Sequence, residues 1–184
     1  MIAVRFTGRA QGDLRDPAAL EALRAELGLE RIVCGPQVHG VEIAEDDRPA
    51  DGRLARTAGV GCLVFVADCL PVALQGPGGV CMAHAGWRGL AGGVLEAAVD
   101  AVGATHAVIG PGAGPCCYEV GPEVFEAFGL APQRARIDMK ALAAERLAGL
   151  EVQDVGVCTI CSPEHFSHRR DKTTARQAGI AWLT

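Results

Sequence analysis

The chain has 184 residues, 49% of them hydrophobic and 21% charged, enough apolar content for one domain (1–184) to build a core without staples. A net charge of −5, with basic residues clustered only at Arg169, Arg170 and Lys172, excludes the footprint of a nucleic-acid binder. The longest apolar stretch, 59–74, is interrupted by Asp68 and Pro71 and is too short to span a bilayer.

The opening Met1-Ile2-Ala3-Val4-Arg5-Phe6 meets charge at once and carries no cleavage-like pattern, so no secretory signal is expected. Asp16-Pro17 followed by an Ala/Leu/Glu/Arg-rich run predicts a helix with Asp16 as N-cap, stopped by Gly28. Strands are expected at 31–34 and 41–44, a polar loop at 46–52, and buried strands at 62–67, 71–75 and 80–83. Gln75-Gly76-Pro77-Gly78-Gly79 reads as a hairpin connection. Leu90, Val94, Leu95, Ala98 and Val102 repeat at helical spacing and predict one helix over 90–102. A strand at 107–109 runs into a glycine- and proline-rich loop at 110–115. Helices follow at 122–128 and 139–147, then a strand at 152–157 and a closing strand at 177–183. The loose alternation predicts an α/β fold: a single layered domain with mixed β-sheets flanked by helices.

Eight cysteines without a signal peptide suggest reduced thiols and a cytoplasmic protein, with Cys34, Cys62 and Cys81 filling apolar strands. Three other residues carry metal chemistry. His39, Cys69 and His84 each lie just beyond a strand-like segment, beside Gly or Pro, where loops present side chains at a sheet rim. Singly, each reads as a satisfied polar histidine or a buried thiol. Together, two imidazoles and a thiolate suit zinc and leave a fourth position open. Cys158-Thr159-Ile160-Cys161 invites a structural zinc or redox reading, but it reads as structural or coincidental, because Cys116 and Cys117 are adjacent rather than spaced as a partner pair. The His-x-Glu and Pro-Cys-x-x-Cys elements of cytidine-type deaminases are missing. Gly112-Ala113-Gly114 lacks the third glycine and following helix of a dinucleotide loop, but it leaves room for close approach to a flat ligand or anion. Arg88, expected just before the helix, is a candidate phosphate or carboxylate site.

Five ordered motifs carry a resemblance. They are Gln37-Val38-His39-Gly40, Ala67-Asp68-Cys69-Leu70-Pro71-Val72, His84-Ala85-Gly86-Trp87-Arg88-Gly89, Gly110-Pro111 with Tyr118-Glu119-Val120-Gly121, and Arg169-Arg170-Asp171-Lys172-Thr173-Thr174. From Gln37 to the C-terminus the chain resembles the family labelled multicopper polyphenol oxidase, or laccase domain. That family is understood as zinc-dependent purine nucleoside phosphorylases, and some bacterial members are called peptidoglycan-editing factors. The resemblance implies mixed sheets similar to the catalytic domain of certain deamidating toxins, a cysteine hydrolase fold. It implies one zinc on His39, Cys69 and His84. It also implies phosphorolysis of adenosine, inosine and methylthioadenosine, with adenosine deamination. The implied partners are a purine nucleoside and phosphate, with neither nucleic acid nor membrane. One departure stands out. Between Phe6-Thr7-Gly8-Arg9 and Gly12-Asp13 the family's Ser-Leu-Asn-Leu element is missing. Arg24 matches the Arg of the family's first helix, but Leu23 stands where an Asn usually precedes it.

On this reading Arg88 and Arg170 are the phosphate candidates by charge and bidentate geometry, and Arg24 a substrate contact. Asp68 either orients a ligand and shuttles a proton or serves as a hydrogen-bond acceptor behind the metal. Three rivals remain. Copper oxidation needs many imidazoles, whereas the chain has five His, no His-x-His pair, and Met82 as its only nearby axial thioether. A metal-independent cysteine hydrolase would use Cys69 as nucleophile and His84 as base. A shortened, non-catalytic paralogue would bind without turnover.

Overall fold

The computed structural model describes residues 2–184; Met1, part of the opening read above, lies outside them. In chain order come β1 (Ile2–Phe6), a 3-10 turn (Arg9–Gln11), α1 (Pro17–Glu26), β2 (Arg31–Val33), β3 (Ile43–Ala44), β4 (Gly52–Ala55), β5 (Val60–Val66), β6 (Leu70–Gly76) and β7 (Gly79–Ala85). Then follow α2 (Trp87–Gly92), α3 (Val94–Val102), β8 (His106–Ile109), β9 (Glu119–Val120), α4 (Pro122–Ala127), β10 (Ala135–Arg136), α5 (Met139–Arg146), β11 (Glu151–Asp154), α6 (His168–Asp171) and β12 (Gln177–Leu183).

Two mixed sheets dominate. One has the order β1-β12-β5-β2, the other β11-β8-β6-β7-β4-β3, and β9 pairs β10 in a short ribbon. Parallel pairs occur at β2–β5, β3–β4 and β8–β11; the other pairs are antiparallel. The period-2 alternation of the central strands sorts side chains into layers. On β5, Cys62, Val64 and Val66 face Ala73, Val80 and Met82 of the second sheet, forming a core between the sheets. The opposite residues, Leu63 and Phe65, pack with Ile180, Leu14 and Leu23 beneath α1. On the far side, Val72, Leu74, Cys81 and Ala83 meet Leu90, Leu95, Val102, Phe125 and Leu147 from α2 to α5. The result is a layered α/β fold with helices outside two stacked mixed sheets, the class expected from the sequence.

Local differences have physical causes. α1 is capped as expected, with the Asp16 carboxylate accepting from the Ala18 N–H and Pro17 at the first helical position. The helix expected over 90–102 is instead two. Gly93, at φ +101°, takes a left-handed conformation that caps α2 and restarts the chain as α3. Arg88 therefore sits inside the first turn of α2, not ahead of the helix. The residues expected as a polar loop at 46–52 end in a buried turn, and Gly52 opens β4. β1 was not expected as a strand; it is an edge strand recruited by β12, whose pairing partners supply the order that its own short sequence does not. Among the described residues no helix is long and apolar enough to cross a membrane.

Leu95 lies fully buried in the helix-facing core. Leu95→Ala is expected to cost about 2–5 kcal/mol in urea unfolding, from lost burial and the cavity left behind. Metal content should be unchanged, because Leu95 belongs to the helix-facing core and not to the cavity wall.

Candidate metal centre and its cavity

Asp51 organises this site, and sequence reasoning did not single it out. It is fully buried at the start of β4, beside β7 in the sheet. Its carboxylate accepts backbone N–H bonds from Val38 (3.0 Å), His39 (3.0 Å) and Gly40 (2.7 Å). It also accepts from His84 Nδ1 at 2.8 Å, and its carbonyl accepts the His84 N–H at 2.7 Å. The carboxylate can only accept, so Nδ1 carries the proton and His84 Nε2 is free. Burial alone would raise the Asp51 pKa; the bonds from His84, Gly40 and Val38 instead hold it down to about 2.

The loop carrying His39 is shaped by two further contacts. Gln37 exchanges both amide bonds with the Phe65 backbone, at 2.9 and 2.8 Å, and so acts as a strand partner for β5. The buried Arg53 guanidinium donates to the carbonyls of Pro36, Asp46, Arg48 and Ala50. His39 itself adopts φ +60°. Cys69 follows Asp68, which adopts φ +89°, in the turn between β5 and β6. Such left-handed non-glycine residues are costly and cluster at sites that the surrounding structure over-determines.

The three ligand atoms of His39, Cys69 and His84 lie within 4.8 Å of one another. The two imidazoles meet edge to face, with centroids 4.9 Å apart. His84 is buried, Cys69 half-buried and His39 exposed, so the cluster opens on one side. Gly86 makes the convergence possible. A Cβ there would stand 2.9 Å from the His39 ring and 3.2 Å from the Cys69 sulfur. For Cys69, burial would raise the pKa, but the His84 charge and hydrogen bonds from His39 and His84 bring it down to about 6. For His84, burial would lower the pKa, but the Cys69 charge and the bond to Asp51 raise it to about 9. The pair thus favours a thiolate beside a protonated imidazole, and a soft or borderline divalent ion would take the place of the proton between them, with Nδ1 of His84 still held by Asp51.

The cluster lines a cavity of about 620 Å3 together with Gln37, Phe65, Arg15, His168 and Arg176. The last three were not anticipated. Arg15 comes from the short connection between β1 and α1, and Arg176 from the approach to β12. The Arg176 guanidinium donates to the carbonyls of Thr173, Thr174 and Ala175, and that of Arg15 to Thr174. Burial lowers the Arg176 pKa, and the charge of Arg15, which donates to the same Thr174 carbonyl, lowers it further. Their only sequence signal was charge next to turn residues.

The other sequence candidates lie elsewhere. Asp68 spends its carboxylate on Thr159 Oγ1 (2.7 Å), Ser167 Oγ (3.1 Å) and the Arg169 N–H (2.8 Å). Arg170 donates to the carbonyls of Thr159, Ile160, Ser162 and His165 and pairs with Asp171, so its guanidinium braces a loop. Arg24 pairs with Glu21 on α1 and donates to the Leu29 carbonyl. Arg88 is exposed and stacks on the Trp87 ring at 4.3 Å. None of these four is part of the cavity lining. In the glycine loop Gly112 packs against Leu70, where a Cβ would stand at 2.4 Å, while Gly114 and Pro115 border a cavity other than the one holding His39.

Residues 12–184 match the family described as multi-copper polyphenol oxidoreductase laccase. The chain belongs to this family. It is 40% identical, over 91% of its length and 82% of the relative's, to a Pseudomonas aeruginosa protein named purine nucleoside phosphorylase PA4543. It is 38% identical to Escherichia coli purine nucleoside phosphorylase YfiH, over 80% of this chain and 72% of that one. The crystal structure of Neisseria meningitidis protein NMB0706 superposes with a TM-score of 0.81 at 31% identity, covering 96% of this chain and 85% of that one.

Two substitutions separate scaffold from ligand. Asp51→Asn keeps the shape but puts one amide donor among four donors. Affinity for a metal ion is expected to fall about 10–100-fold, the usual effect of losing a partner behind a ligating histidine. Asp51→Ala, which also strands buried N–H groups, should cost roughly 3–5 kcal/mol in chemical denaturation.

Proposed function

We propose that this protein is a zinc-dependent purine nucleoside phosphorylase acting on adenosine, inosine and methylthioadenosine, with adenosine deamination as a side activity. The observation that carries the reading is the placement of the His39–Cys69–His84 cluster and two arginines, Arg15 and Arg176, in one cavity. The names of relatives near 40% identity point the same way.

The donor set fits zinc: two imidazoles, one thiolate, and one open side toward the cavity. A zinc ion there supplies Lewis acidity and lowers the pKa of bound water to about 7. Everything else falls to the chain. Phosphorolysis exchanges the bond between ribose and purine for a bond to phosphate at the same carbon. The phosphate must be held close to that carbon and desolvated. Arg15 and Arg176 converge on the Thr174 carbonyl and repel each other, and an anion bound beside them lessens that penalty while gaining charge-assisted hydrogen bonds. They take the phosphate role that charge alone suggested for Arg88 and Arg170. Phe65 and Val66 give the cavity an apolar wall suited to a purine face. A cavity of about 620 Å3 lies in the range of small-molecule sites.

Copper oxidation is weaker on the same grounds. His106 pairs with Glu151 at the surface, and His165 bonds Ser162 away from the cluster. The Met82 sulfur is packed between the sheets near Gly179. A second reading keeps one specific observation: Asp51, His84 and Cys69 form a carboxylate–imidazole–thiol series like that of cysteine hydrolases. Metal analysis separates the two. The hydrolase requires an alkylatable low-pKa Cys69 in a metal-free active protein.

Incubation with adenosine and phosphate, followed by chromatography, should yield adenine, with inosine and hypoxanthine as deamination products. Cys69→Ser should abolish turnover with its zinc. Arg176→Ala should raise the KM for phosphate about tenfold or more while leaving zinc bound, as expected for losing roughly 1.4 kcal/mol or more of anion binding. Zinc-replete protein that releases no base from any of the three nucleosides would sink the proposal.

A further inference from the structure

Four of the eight cysteines gather away from the cavity, although their spacing along the chain argued against grouping them. Cys116 and Cys117 are adjacent in the loop after β8, and Cys158 and Cys161 stand in a Cys-x-x-Cys turn after β11. The fold brings all four sulfurs within 4.8 Å of one another. Cys161 lies 3.4 Å from Cys116 and 3.0 Å from Cys117, sulfur to sulfur. We propose that Cys116, Cys117, Cys158 and Cys161 form a second metal site, a four-thiolate structural zinc centre that staples the 114–118 loop to the 158–162 turn.

The geometry suits one ion. Zinc–sulfur bonds of about 2.3 Å in a tetrahedron place neighbouring sulfurs about 3.8 Å apart, within the spread seen here. A four-iron cluster needs its cysteines spread more widely. The backbone is arranged for such a centre. Gly112 bridges Cys158 in parallel register, with the Gly112 N–H donating to the Val157 carbonyl and the Thr159 N–H to the Gly112 carbonyl. The Gly114 N–H donates to the Cys158 sulfur at 3.2 Å, the kind of N–H···S bond that steadies a thiolate ligand. A Cβ on Gly114 would stand 3.0 Å from the Cys158 Cβ, so glycine there admits the sulfur. The Cys-x-x-Cys turn closes on itself through the Ser162 N–H and the Cys158 carbonyl, and Arg170 holds the carbonyls of Thr159, Ile160 and Ser162. That guanidinium also offsets the negative charge of four thiolates around a divalent ion.

Each protonated thiol gives its proton to solvent as its sulfur takes the metal, so binding needs no redox partner. Cys116 and Cys161 are exposed, which leaves the ion a route in. Cys158 and Cys116 also border a second cavity of about 530 Å3, distinct from the one holding His39. The staple has a target. Thr159, inside the Cys-x-x-Cys turn, donates to Asp68, the residue before Cys69. The site would therefore hold the rear of the first metal centre without touching it.

The test is metal analysis of the full chain purified under reducing conditions with zinc supplied. About two zinc ions per chain are expected, about one in Cys161→Ser and in Cys116→Ser, about one in Cys69→Ser, and none in the Cys69→Ser/Cys161→Ser double variant. Circular dichroism checks that each variant is folded. Cobalt loaded into Cys69→Ser should show the intense sulfur charge-transfer bands of a four-thiolate site, and the double variant should lose them. The outcomes separate the two centres. Zinc lost in Cys161→Ser but not in Cys69→Ser upholds this proposal and removes the metal from the first site. Folded Cys161→Ser and Cys116→Ser with the full wild-type zinc content overturn it, as does iron in place of zinc, or a Cys117–Cys161 disulfide in the freshly isolated wild-type chain.

Discussion

The candidate site depends on one buried carboxylate. Asp51 gathers three successive N–H groups of the His39 loop and the Nδ1 of His84, and so ties a loop with little regular structure to the middle of a sheet. Burying an ionised carboxylate is costly unless its lone pairs are satisfied. Here four donors meet it, and their bonds outweigh burial and keep it ionised. Because every donor belongs to the His39 loop or to β7, the electrostatic demand of Asp51 and the position of the two imidazoles are one constraint. His39 can hold its left-handed backbone because that conformation aims its N–H and those of its neighbours at the same carboxylate.

Asp68 works in the same way on the other side. Its backbone sets the turn that presents Cys69, and its side chain reaches away from the cluster to Thr159, Ser167 and Arg169. Its carbonyl takes the Ala113 N–H. Two aspartates thus fix the ligand triad from opposite directions, one from the sheet and one from the C-terminal segment. A proton-shuttling role would require Asp68 to give up contacts that hold that segment in place. Its geometry describes an anchor.

Much of the fold was legible because the long strands and helices carry strong apolar patterns. β5, β6 and β7 are near-continuous apolar runs buried on both faces, α1 has its cap and proline, and α3 repeats its apolar face. Short elements were not. β3, β9 and β10 have two residues each, and their pairing is decided by neighbours. β4 was obscured because Asp51 and Arg53 look like solvated residues, whereas the fold buries both by surrounding them with donors and carbonyls. In the site, His39, Cys69 and His84 stood out by residue type and context. Asp51, Arg15 and Arg176 did not, because a buried acceptor and a cavity-lining cation are indistinguishable in sequence from surface charge. The convergence of the four cysteines at 116, 117, 158 and 161 was not legible for a related reason. Spacing rules look for two matching pairs along the chain, while the sulfurs here are matched through a single parallel bridge at Gly112.

The C-terminal segment is where these parts meet. Arg170 binds the Cys-x-x-Cys turn, Asp68 binds Thr159 and Ser167, and Arg176 with His168 faces the cavity that holds the first cluster. The segment has little hydrophobic anchorage of its own: α6 has four residues and none is buried. Polar contacts hold it between the Cys-x-x-Cys turn and the buried strand β12. Those contacts are directional, so a shift at the cysteine-rich end would pass through Asp68 to Cys69 and, along the chain, to Arg176. The cavity's cationic wall and its metal-ligating floor are therefore joined twice, by the pairing of β12 with β5 that sets Arg176 beside the Cys69 turn and by the hydrogen bonds of Asp68 to the segment before it.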